Sequence, residues 1–131
     1  RVLVASAVTK EADLEQLQYM AGKGAYIEYT LAAYTHTTPI PKTHYYVERE
    51  YASIDEGMDL GQTGSIRLAA EQIQALGSEH CIIGTDFGVY TLPEPVEGLR
   101  EFVACLLDLG LPPDDIRMLI KTNPERLLGL D

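Results

Sequence analysis

A carboxylate stands in a chemically useful place in the segment Gly84-Thr85-Asp86-Phe87-Gly88. The run before it, His80-Cys81-Ile82-Ile83, reads as a short buried strand. Asp86 is therefore expected at the carboxyl end of that strand, where the loops of parallel α/β folds converge and ligands bind. An aspartate there can hold a divalent metal or take a proton from metal-bound water. Its plainer reading is a cap for the loop or for the helix that follows. A metal needs three or four ligands, so partners must come from elsewhere. Glu28, near the end of a second candidate strand, would reach the same crevice; otherwise it is an ordinary polar strand residue or a salt-bridge partner. His36 and His44 lie in a long segment that could pass over the mouth, with no helix to bring them together, and solvated loop histidines are their plainer reading. The candidate set is Asp86 as ligand or base, with Glu28 and His36 as further metal ligands. His80 precedes its strand at the amino end, the wrong end for the site.

The elements that must position these residues follow from periodicity. Val2-Leu3-Val4-Ala5 is a continuous apolar run, as expected of a strand buried on both faces of a parallel sheet. A helix follows, with Thr9 as its N-cap, Glu11 and Asp13 in its first turn, and Leu14, Leu17, Met20 and Ala21 on one face. Gly22 and Gly24 supply its stop. Ala25-Tyr26-Ile27-Glu28-Tyr29-Thr30 is the second strand. From Tyr34 to about Gln62 no period is sustained, and a connection that long is usually functional or mobile. Ile66, Ala69, Ala70, Ile73 and Leu76 mark a helix that Ser65 can cap and Gly77 can end. After the strand at His80–Thr85, Leu99, Phe102, Val103, Leu106 and Leu107 mark another helix, closed by Gly110. Two short helices finish the chain, one opening near Pro113 and one with Asn123 as N-cap and Pro124 at its first position. The order predicts one α/β domain over residues 1–131, with about three parallel strands and flanking helices. Its two sheet edges invite self-association or a missing part of a larger sheet.

Composition narrows the function classes. Twenty acidic residues against ten basic ones give a net charge of −10, which repels nucleic acid and anionic membrane surfaces. No run of about 18 apolar residues is present to span a bilayer, and the start lacks a signal-peptide pattern. A soluble, cytoplasmic protein is expected. Its two cysteines, Cys81 and Cys105, fall in apolar segments without metal-ligand spacing and read as reduced core thiols, a strand-to-helix disulfide being the alternative. The chain opens at Arg1 and enters a strand almost at once, the look of an excised or truncated product. Tyr26, Tyr29, Tyr34, Tyr45, Tyr46, Tyr51 and Tyr90 suggest an amphipathic pocket or contact surface, though core packing explains most of them as readily. No P-loop, dinucleotide fingerprint, nucleophile elbow or Ser/His/Asp order is present.

Gly84-Thr85-Asp86-Phe87-Gly88, followed after a helix by Asn123-Pro124-Glu125-Arg126-Leu127-Leu128-Gly129-Leu130, resembles the end of the amidohydrolase-superfamily barrel. The likeness runs from Ile66 to Leu130. It implies that Asp86 is the metal ligand and general base after the eighth strand, and that the strands at Val2 and Ala25 correspond to the sixth and seventh. It also implies a divalent metal, zinc in the first instance, and a small-molecule substrate with an amide, ester or related bond. The family's paired histidines after its first strand have no counterpart here. Where a histidine would follow Val2-Leu3-Val4, the chain reads Ala5-Ser6-Ala7-Val8. A whole barrel takes about 250 residues, so the likeness covers part of one. Two expectations result: a metal-dependent hydrolase completed by further barrel strands, or a non-catalytic half-barrel that binds or assembles through its open sheet edges.

Overall fold

The computed structural model describes residues 2–4, 14–31, 66–88 and 94–130. Within them the chain is α/β, with three parallel strands in one open sheet. Strand β1 is Val2–Val4, helix α1 Leu14–Gly22, strand β2 Ala25–Thr30 and helix α2 Ile66–Leu76. A 3-10 turn at Ser78–His80 leads into strand β3, Cys81–Gly84. Helix α3, Pro95–Asp108, precedes α4, Pro113–Arg117, and α5, Asn123–Leu128. The strand order is β1-β2-β3, so β2 is central.

Register and pleat decide where side chains go. Val2 pairs with Ala25 and Val4 with Ile27, while Glu28 pairs with Ile82 and Thr30 with Gly84. Alternation along parallel strands then puts Tyr26, Glu28, Thr30, Ile82 and Gly84 on one face of the sheet. Ile27, Tyr29, Cys81 and Ile83 take the other face, where they join one core with Leu17, Ala21, Ala69, Ala70, Ile73, Phe102, Leu106 and Leu119. α1 and α2 pack against each other, and α2 against α3, so the helical layer covers that second face. Tyr29 is fully buried there, which makes it a core residue, while Tyr26 is half-buried on the opposite face. The other tyrosines of the expected pocket lie outside the described residues. The same holds for Thr9, Glu11, Asp13 and Ser65, named above as helix caps and first-turn acids.

Helix ends follow their glycines. Lys23 N–H donates to the Tyr19 carbonyl and Gly24 N–H to that of Ala21, and Gly24 turns the chain into β2 with φ +86°. Gly77 ends α2 in the same way at φ +90°, its N–H donating to Ile73 O. In α3, Phe102 and Leu106 are buried, but Leu107, expected on the apolar face, is exposed.

Two further expectations are corrected. β1 is not buried on both faces: Val2 is 61% and Leu3 39% exposed. Among the described residues its apolar run is the sheet's outer edge, and an apolar run cannot say whether a neighbouring strand exists. Nor is Asn123 an N-cap. Its own backbone is helical, at φ −71° and ψ −42°, and the segment Met118–Thr122 joins α4 to α5 as a π-helical turn. Pro124 supplies the reason, because its ring clashes with the carbonyl of Ile120 in a regular α-helix and it has no N–H to donate. Widening to the i→i−5 bond from Asn123 N–H to Met118 O accommodates that ring without a break.

The Asn123 side chain reaches across the fold instead. Fully buried, its Nδ2 donates to the carbonyls of Ser78 and Cys81, each at 2.7 Å. It thereby latches the final helical segment to the amino end of β3, across 45 and 42 residues of sequence.

Candidate functional site

The carboxyl end of the sheet brings Glu28 and Asp86 together. Glu28 projects from β2 on the face opposite the helical layer, and Asp86 follows β3 by two residues. The two are near enough to interact. Burial, and secondarily the Asp86 charge, push the Glu28 carboxyl above the usual carboxylate range. Gly84 makes the approach possible: a Cβ on it would lie 2.6 Å from Glu28 Oε1. Glu28 therefore leans across β3 over a residue without a side chain.

Asp86 has its own local frame. It is exposed and holds the left-handed backbone conformation at φ +53°, unique to it among the described non-glycine residues. Aspartate tolerates that region better than most residues but still at some conformational cost. The hydroxyl of Thr85 accepts from Phe87 N–H at 3.3 Å and tightens the turn around Asp86. Phe87 itself is buried in the core. Helix α3 begins nine residues after Asp86, with Glu94 in its cap position, so Asp86 is not the cap of that helix.

Of the three residues expected to hold a metal, the structure brings Asp86 and Glu28 to one place, and His36 lies outside the described residues, as does His44. His80 sits in the 3-10 turn at the amino end of β3, as expected. Among the described residues, no group of three or more His, Cys, Asp or Glu side chains converges as a metal site. The two donors present are oxygen ligands, which suit magnesium and manganese as well as zinc. Both cysteines are free thiols. Cys81 is buried, with its Sγ 3.5 Å from Gly77 O and its thiol pushed up to about 12, chiefly by burial and then by Glu79.

Sequence reasoning named both carboxylates, the first from its place after an apolar run and the second from its place near the end of the second strand. It missed Gly84 as the space into which Glu28 leans. The signal was present in the register: Gly84 aligns with Thr30, the next residue of β2 on the Glu28 face. No helix among the described residues is long and apolar enough to cross a membrane. No family model, curated protein or solved structure matches the chain.

Proposed function

We propose that the Glu28–Asp86 pair is part of a divalent-cation site in a metal-dependent hydrolase of amidohydrolase type, acting on an amide, ester or related bond of a small molecule. The observation that carries this reading is the approach of a carboxylate on β2 and one in the loop after β3 at the carboxyl end of a parallel sheet, over a glycine that leaves room for the first. Like charges held together and partly desolvated are unfavourable alone and favourable around a cation. A bound divalent ion would lower the pKa of a coordinated water into the neutral range. Asp86, exposed and aimed by its turn, would act as ligand or base; Glu28, more enclosed, would anchor the ion. Two carboxylates fall short of a complete ligand set. His36 is the first candidate for a third ligand, and further strands of a barrel, carried by a longer chain or a partner, are the second source.

The test is metal content. Protein purified with zinc or manganese is assayed for bound metal beside Asp86→Asn and Glu28→Gln variants of equal circular dichroism. About one ion per chain, lost in both variants, supports the reading. No ion in any of them sinks it.

A second reading, the non-catalytic assembly module, draws on the exposed Val2 and Leu3 at the outer edge of β1. It requires a homo-oligomer, and a monomer by light scattering at micromolar concentration refutes it.

A further inference from the structure

Gly98 lies in the first turn of α3, buried, its N–H donating to Glu94 O at 2.9 Å. A Cβ there would overlap Cε2 and Cδ2 of the Phe87 ring. The ring therefore rests directly on helix backbone, at the one point on α3 where a missing side chain admits it. Phe87 is the residue after Asp86, and its N–H closes the Thr85 turn. Glycine costs about 1 kcal/mol relative to alanine inside a helix. Its presence at a buried helical position is accounted for by the ring that occupies its space.

We infer that Gly98 is a positioning residue for Asp86: by seating the Phe87 ring against α3 it fixes the turn that presents the Asp86 carboxylate beside Glu28. The inference rests on the carboxylate pair being the site, but its geometry can be read without any ligand. Any side chain at position 98 expels the ring, and the adjoining aspartate moves with it. Gly84 and Gly98 thus act as a matched pair of clearances, one admitting the Glu28 carboxylate and the other holding the support of Asp86.

The experiment compares the natural chain with Gly98→Ala, Phe87→Leu and the double variant, by amide NMR shifts of residues 84–88, thermal midpoint and affinity for manganese alone. The expected result for Gly98→Ala is displaced resonances throughout 85–88 and manganese binding weakened by at least tenfold, with unchanged helical content. In the double variant, where the smaller Leu side chain leaves room for the new methyl group, resonances and affinity return most of the way. A purely structural role for Gly98 would lower the thermal midpoint without moving the turn. Gly98→Ala with natural shifts at 85–88, or a double variant as displaced as the single, overturns the inference. If the natural chain binds no manganese but the shifts move and recover as described, the cation reading fails and the positioning role of Gly98 stands.

Discussion

The two ends of β3 are built on opposite principles. At its amino end, Asn123 arrives from the far end of the chain, is sealed from solvent, and gives both hydrogens of one amide to two carbonyls. At its carboxyl end, an exposed aspartate sits in a disfavoured backbone conformation beside a glutamate that resists ionisation. One end ties a buried amide nitrogen to two carbonyls, although the Oδ1 of the same amide finds no hydrogen-bond partner; the other sets two carboxylates near each other. A strand four residues long thus has a fastened end and, on the proposed function, a working end. The difference teaches that the Asn-Pro segment, distant from Asp86 in sequence, ties down the opposite end of the same strand.

Breaking the fastened end should have the largest effect. Asn123→Ala removes both side-chain hydrogen bonds, leaving Ser78 O with the Cys81 N–H alone, and opens a cavity, so urea denaturation should show a loss of about 3 kcal/mol. A loss under about 0.5 kcal/mol would mean that the latch is not a principal tie. Crowding the working end comes next. Gly84→Ala drives a methyl group against Glu28 Oε1 and should cost about 1–2 kcal/mol, since the carboxylate can swing aside at the expense of its place in the pair. Its stability loss should be smaller than that of Asn123→Ala and its loss of cation binding greater, which calorimetry with manganese would decide.

Glu28 sharpens the contrast through pH. Its folded pKa is raised, so its contribution to stability is fully present below the ordinary carboxylate range and is lost as pH rises through the raised value. Glu28→Gln should therefore match the natural chain in acid and melt at a higher temperature than it at neutral pH, without added metal. Equal melting temperatures at both pH values would remove the electrostatic tension from the working end. The smallest effect is expected from Asp86→Gly, which relieves the left-handed backbone. It should change stability by under about 1 kcal/mol, in either direction, because relief in the folded state is offset by a freer unfolded chain. An expense of several kcal/mol would show that Asp86 is itself a structural tie.

Much of this architecture was legible in the sequence because it depends on local pattern. The pattern Ala25–Thr30 marked a strand with Glu28 near its end, and the run before Gly84 put Asp86 at a strand end. The unseen parts depend on what a residue meets across the fold. Nothing near Asn123 points to Ser78, and a segment opening Asn-Pro satisfies the N-cap rules whether or not the preceding turn is helical. Gly84 and Gly98 look like any glycines until a carboxylate and a ring are found in the space they leave. Val2-Leu3-Val4 has the composition of an interior strand, and only the sheet order shows that among the described residues it has a neighbour on one side alone.

The buried thiol beside the latch has a practical consequence. Cys81 is buried with a thiol held protonated, whereas Cys105 on α3 is half-buried. A thiol reagent should therefore mark the chain in two well-separated phases. The second phase would serve as a stopwatch for the opening of the sheet, timed at the strand that carries Asp86 at its other end.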